Sequence, residues 1–268
     1  MSRAYIRRIY KLMLVFGFDI RKLLLAIKGS FLYTKGFLKL ISQHRKSDYK
    51  FKTIKFDPIL DDWFDKAGTA KGHYFHQDLI VAQSIYQNNP HKHIDIGSRI
   101  DGFVAHVASF REIYVVDIRP LRSTHKCINF IQLDLMDKLP QSFSKCCDSL
   151  SCLHALEHFG MGRYSDPIDY DGYVKGIENL TKILKPQGIL YLSVPIGEEC
   201  INFNAHRIFS IKRVLDLTND DFILKRFSYV DDEGDLHSDV KLSIKDKENS
   251  FNCIYGCGIF ELIRKSDL

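Results

Sequence analysis

Among the 268 residues there is no C-x-x-C pair, no internal repeat, no low-complexity segment and no apolar run near the roughly 18 residues that span a bilayer. Each absence excludes a class. The seven cysteines (Cys127, Cys146, Cys147, Cys152, Cys200, Cys253, Cys257) are odd in number and include one adjacent pair, so neither a disulfide framework nor a zinc ribbon fits and a reducing cytoplasm is expected. The early apolar bursts LMLVFGF, LLLAI and FLKLI are interrupted by Asp19, Arg21, Lys22 and Lys28, and FGFDIRK offers no small-residue cleavage site. With 45% hydrophobic residues, one folded core with appendages is expected.

Charge is unevenly spread. Residues 1–50 hold twelve Lys and Arg against Asp19 and Asp48, a net of +10, which leaves −5 for the remainder of a chain whose total is +5. Arg3, Arg7 and Lys11 recur at helical spacing, displaced from Ile6, Tyr10 and Met13, as on an amphipathic helix. Such a basic arm suits an anionic lipid surface, with a helical cap on the core as the alternative. Nucleic acid is not expected as a partner, because the aromatics are not interleaved as a stacking platform and the rest of the chain is acidic. The chain is expected to divide into the arm (1–50), a lid or linker helix region (51–90) and a Rossmann-like domain (91–268).

From residue 93 onward short apolar runs alternate with helical stretches. Residues 93–97, 112–118, 128–134, 147–153 and 188–195 read as buried strands. Helices are expected over GFVAHVASF and over 171–184, the second ending at KPQG, and residues 222–230 and 253–265 are expected to close the sheet as a final hairpin. Strands alternating with helices predict an α/β three-layer sandwich around a mostly parallel sheet, whose ligand sits beyond the carboxyl ends of the strands.

The loop after the first strand is Asp95-Ile96-Gly97-Ser98-Arg99-Ile100-Asp101-Gly102. It is no dinucleotide fingerprint, because Arg99 stands at the second glycine position and two carboxylates, Asp95 and Asp101, flank the loop. Carboxylates repel phosphate but suit an ammonium group and ribose hydroxyls. Asp117, ending the second strand, is placed to accept from a ribose diol, and Asp134, ending the third, to take an adenine amine. Together these features describe S-adenosylmethionine better than NAD. The expected cofactor set is Asp95, Gly97, Ser98, Arg99, Asp101, Gly102, Asp117 with Ile118, Asp134 with Leu135, and His154.

From about Asp57 to the C-terminus the chain resembles the domain of unknown function 268 family, a group of class I methyltransferase-like proteins. The likeness runs through GHYFHQDL, HIDIGSRIDGFVAHVASF, VVDIRPL, LHALEHFGMGRYSDPIDYDGY, LKPQGILYLSVPIG and FNAHRIFS. It implies the class I fold with a mostly parallel seven-stranded sheet, an S-adenosylmethionine site and, as a prior, work on surface polysaccharides.

His154-Ala155-Leu156-Glu157-His158 spells H-x-x-E-H, a zinc-peptidase string. Gly160 and Gly162 follow so closely that at most one helical turn fits, whereas the peptidase needs both histidines on a long helix. In the resembled fold this loop faces the transferable methyl group, which makes Glu157 and His158 site candidates. Attack by a sugar hydroxyl needs a base or a metal ion. His158 as base, a cation on Glu157 with Asp166, Asp169 or Asp171, and a purely structural pair all remain open. His206 is a further catalytic candidate, Asn204 and Arg207 beside it are expected to bind a sugar or phosphate, and Arg163, Tyr164 and Asp166 to line the acceptor. Tyr74 and His76, upstream of the core, are expected on a lid over the site.

The leading expectation is therefore an O-methyltransferase acting on a saccharide or lipid-linked glycan. Its alternatives are a non-catalytic scaffold of the same fold in a glycan assembly pathway and a nicotinamide-dependent sugar oxidoreductase or epimerase. The last is disfavoured by the spoiled phosphate cradle and by the lack of Y-x-x-x-K near the site.

Overall fold

The computed structural model describes residues 3–123 and 125–266, and the chain divides into two units, 1–69 and 70–268. In the first unit, α1 (Arg3–Val15) and α2 (Ile20–Lys46) are joined by a turn that Asp19 organises. Its carboxylate caps α2 by accepting from the Arg21 and Lys22 amides at 2.9 and 3.2 Å, and it also accepts from the Tyr10 hydroxyl at 2.8 Å. The side chains of Arg3, Ile6 and Arg7, which the expected stripe needs, lie outside the described residues. Val15, Phe16 and Phe18 crowd this turn and are 80, 71 and 66% exposed.

After α2 the chain returns along it. The Tyr33 hydroxyl accepts from the Asp57 amide at 3.2 Å, and Phe56 stands edge-on to Tyr33 and Phe37. Gly29 is the buried residue of α2 because a Cβ there would lie 1.8 Å from the Leu60 carbonyl oxygen. The returning segment packs on α2 within the first unit. Among the described residues no helix is long and apolar enough to cross a membrane.

The second unit opens with α3 (His73–Asn88), followed by β1 (His93–Ile96), a π-helical turn over Ile100–Val104 running into α4 (Ala105–Ala108), β2 (Ile113–Asp117), β3 (Ile128–Gln132) and β4 (Cys147–Leu153). Next come α5 (Gly172–Ile183), β5 (Leu184–Ile196), β6 (Cys200–Asn202), β7 (His206–Ile208) and α6 (Ile211–Thr218). The unit closes with β8 (Phe222–Val230), β9 (Leu236–His237), α7 (Ile244–Asn249) and β10 (Gly256–Arg264). The main sheet runs β3-β2-β1-β4-β5-β10-β8-β9, its first five strands and β8 running in one direction and β10 and β9 in the other, while β6 and β7 form a separate ribbon.

Alternation places the apolar side chains on both faces. Ile94, Ile96, Leu150 and Leu192 pack with Ile177, Leu180 and Ile183 of α5 and with α6, while Ile113, Val115 and Tyr191 pack with Val81, Ile85, Phe103 and Val104. These burials make a three-layer sandwich, and they place α3 in the sheet unit. The first three expected strands form with ends trimmed by a residue or two and the fourth as expected, whereas β5 begins four residues early at Leu184 and takes in the KPQG expected to end the helix. Eight strands replace the expected seven because the two-residue β9 pairs with Tyr229 and Val230 at the edge. The closing pair is not a tight hairpin, since β9 and α7 intervene and β10 enters between β5 and β8. Strand order reverses at β1, which has β2 on one side and β4 on the other, and a crevice opens at such a point.

Candidate functional site

At that crevice a buried carboxylate sets the geometry. Asp95 has no exposed surface and faces Ser151 across the β1–β4 pair. It accepts from the Ser151 hydroxyl at 2.5 Å and from the Ser98 hydroxyl and amide at 2.6 and 3.1 Å. Burial outweighs these bonds and pushes its pKa up to about 7. Below it the His93 ring bridges Ser149 and Ser151 at 2.8 and 3.1 Å, and burial depresses it to about 3, so it stays neutral. The polar ladder fixes the loop that follows β1. There Gly97 takes φ +69°, where a Cβ would be strained and would press on the Ala155 Cβ at 3.0 Å, so backbone alone faces the crevice.

A cleft with about 560 Å³ of empty space, open solvent at its mouth included, lies at the carboxyl ends of β1, β2 and β3. Gly97, Asp117, Ile118, Asp134, Leu135, His154, His158, Tyr164 and Asp166 all line it. Both Asp117 oxygens are engaged by Arg119, through its amide at 2.8 Å and its guanidinium at 3.0 and 2.6 Å, and that guanidinium lies over the Tyr164 ring. Asp134 accepts from the Met136 amide at 2.8 Å, and burial raises its carboxyl.

The H-x-x-E-H residues do not share a helix. His154 follows β4 at φ +50°, and Leu156–His158 is one 3-10 turn. The His154 Nδ1 and Glu157 Oε1 atoms are 2.7 Å apart, both side chains being buried, and among the described residues His154 Nε2 and Glu157 Oε2 have no hydrogen-bond partner. Burial alone would raise the Glu157 carboxyl, but His154 outweighs it and holds it low. Glu157 thus stands behind His154, outside the cleft lining. His158 Nδ1 lies 2.7 Å from the Ala205 carbonyl, which requires the proton on Nδ1 and leaves Nε2 its lone pair. Burial lowers its pKa, which favours that neutral form.

Other expected residues are placed elsewhere. Asp95 and Ser98 are buried beneath the loop. Arg99 pairs with Asp101 at 3.1 Å on the surface and covers the Tyr74 ring, and Gly102 has no Cβ because Asp78 Oδ2 would meet it at 2.5 Å. Tyr74 tilts against His154, whereas His76 packs on Phe75. Arg163 donates to the Ala205 carbonyl, and Asn204 is exposed. His206 lies against Tyr255. Arg207 is not available to a sugar or phosphate: it is 4% exposed and donates to the Phe159 and Tyr170 carbonyls at 2.6 and 3.0 Å. A carboxylate cation site does not assemble either, since Asp166 accepts from the Gly162 and Tyr164 amides and Asp169 pairs with Lys175.

The cleft also contains Arg119, Met136 and Phe159, which sequence reasoning missed. The first two stand two residues beyond Asp117 and Asp134, and that offset from a strand-end aspartate is the available signal. His73, stacked on His154 at 5.2 Å, and Cys257 of β10 carried no local signal at all.

Residues 112–253 match the family described as "Caenorhabditis protein of unknown function, DUF268". The chain belongs to this family. No curated protein matches this DUF268 member in sequence. Among solved structures it is similar to the Burkholderia thailandensis 1,6-didemethyltoxoflavin-N1-methyltransferase with bound 1,6-didemethyltoxoflavin and S-adenosylhomocysteine, at 15% identity and TM-score 0.50, over 77% of this chain and 82% of that one. The N-methyltransferase NodS from Bradyrhizobium japonicum WM9, in complex with S-adenosylhomocysteine, aligns at 12% identity and TM-score 0.49, over 73% and 89%. The DUF268 chain has the class I methyltransferase fold.

The buried Asp95 gives a pH signature. An unfolded aspartate loses its proton near pH 4, whereas the folded one keeps it to about 7. The folded state binds the extra proton in that window, so stability falls as pH rises through it, by about 1.4 kcal/mol per pH unit. Denaturant melts of Asp95→Asn are expected to lack that slope between about pH 4 and 7. An unchanged slope would assign it to another group.

Proposed function

We propose that this DUF268 member is an S-adenosylmethionine-dependent methyltransferase that methylates an oxygen of a saccharide at the cytoplasmic face of an anionic membrane. The observation that carries the proposal is one cleft bringing Gly97, Asp117 and Asp134 from three strand ends together with His158, whose Nε2 lies 3.7 Å from the Glu157 carboxylate. The residues fit the cofactor. Gly97 admits close approach of a ligand to backbone, Asp117 can accept from two vicinal hydroxyls once Arg119 yields them, and Asp134 can accept from an exocyclic amine. Bound there, S-adenosylmethionine would supply an electrophilic methyl group. His158 would remove the acceptor proton at Nε2 while the Ala205 carbonyl holds Nδ1–H, with Tyr164 and Asp166 lining the same cleft.

The membrane component of the proposal rests on the first unit. Exposed Val15, Phe16 and Phe18 occur in a segment whose net charge is +10, a composition suited to shallow insertion with lysines and arginines at the headgroups.

Calorimetric titration with S-adenosylhomocysteine and with NAD tests the cofactor. The first is expected to bind and the second not; the reverse would favour the oxidoreductase, and binding of neither the scaffold. Asp117→Ala is expected to cost about 2 to 4 kcal/mol of that affinity, because hydroxyls enter a buried site without acceptors. In single-turnover assays on a purified glycan pool, His158→Ala is expected to slow methylation by about two to four orders of magnitude with little change in cofactor affinity. A rate within a few-fold of the parent protein would remove His158 from the chemistry. For the membrane, a Phe16→Ser, Phe18→Ser double variant is expected to sediment less with anionic liposomes than the parent chain, and added salt to weaken both. Sedimentation insensitive to lipid charge would overturn the surface assignment.

A further inference from the structure

We infer that His73, His154 and Cys257 form a transition-metal site, with zinc as the fitting ion. Their donor atoms lie within 4.8 Å of one another, and they come from three elements of one unit: the first turn of α3, the loop after β4 and the second residue of β10. Two imidazoles and a thiolate are the donor set of a zinc ion with three protein ligands, which leaves its fourth position for water or a substrate oxygen.

His154 is the decisive member. It is 7% exposed, it sits at φ +50° where a histidine is strained, and its Nε2 has no hydrogen-bond partner among the described residues. A buried ring nitrogen without a partner is costly in a core, and a metal ion satisfies it. The other nitrogen, Nδ1, is 2.7 Å from the Glu157 carboxylate, the outer-shell arrangement that fixes the tautomer of metal-binding histidines and strengthens them as ligands. The His154 amide donates to the Ser193 carbonyl at 3.0 Å, so the ring is anchored through backbone as well.

The other two ligands are also held. Cys257 is fully buried between β5 and β8, its sulfur 3.6 Å from Gln77 Oε1, which also accepts from the Ser193 hydroxyl at 2.6 Å. His73 is stacked on His154 and touches Tyr255. A tetrahedral ion with bonds of about 2.0 to 2.3 Å draws its ligands to roughly 3.4 to 3.7 Å apart. His73 is only half-buried, so rotation of its side chain can supply that closure. Charge balances too: a divalent ion, one thiolate and the Glu157 carboxylate sum to zero, which lets the site lie beside a cleft that takes a cationic cofactor. The site uses only the first histidine of H-x-x-E-H; the second, His158, is turned to the Ala205 carbonyl.

The test uses the full chain, stripped with a chelator and titrated with cobalt(II), followed by displacement with zinc. One cobalt per chain is expected, with the thiolate-to-metal charge-transfer absorption that a cysteine ligand produces. His73→Ala and Cys257→Ser are expected to lower affinity by at least about 100-fold and Glu157→Gln by about 10 to 100-fold, while His158→Ala binds as the parent does. Circular dichroism of the metal-free variants checks that each is folded, and His73→Ala, at a half-exposed helix start, keeps the test decisive if Cys257→Ser is not. Absence of the charge-transfer band, its survival in Cys257→Ser, undiminished binding by folded His73→Ala, or loss of binding in His158→Ala would overturn the inference. Because the readout needs no cofactor, its failure and the failure of S-adenosylhomocysteine binding are separate results.

Discussion

The buried Asp95 carboxyl is the constraint on which the site depends. By holding Ser98 on its own loop and Ser151 on the neighbouring strand, it ties β1 to β4 at the point where strand order reverses. A carboxyl without solvent is costly, and three donors converging on it offset part of that cost while allowing one loop geometry only. From that geometry follow the positive φ of Gly97, its approach to Ala155 and the crevice between them.

A second layer of fixed polar groups stands behind the loop after β4. Arg207 ties the carbonyls of Phe159 and Tyr170 together from beneath, and Glu157 fixes the His154 ring. Neither faces a ligand, yet both decide where His154 and His158 lie. The two histidines consequently differ: one is locked to a carboxylate through Nδ1, the other to a carbonyl through Nδ1 with its Nε2 on the side of Glu157. Glu157 Oε1 stands between them, 2.7 Å from His154 Nδ1 and 3.7 Å from His158 Nε2.

Much of the parallel half of the sheet was legible because a strand buried on both faces writes itself as a short run of Ile, Val and Leu, as in HIDI and IYVVD. Asp117 and Asp134 were legible as strand-end residues for the same reason. Arg207 was misread because its type suits an anion, and only packing shows that backbone carbonyls take its two terminal nitrogens. Asp95 was misread in the same way: position in the loop suggested a ligand contact, whereas its side chain points into the β1–β4 pair.

The sequence by itself determined the alternation of strands and helices, the basic arm, the missing phosphate cradle and the brevity of the turn carrying Leu156–His158, because each depends on residues adjacent in the chain. Tertiary structure alone decided which side chains meet. His73, His154 and Cys257 are separated by 81 and 103 positions and carry no common periodicity; they come together only because β10 inserts beside β5 while α3 packs on the face of the sheet. Contacts of that kind follow from strand order, which local hydrophobic pattern does not encode.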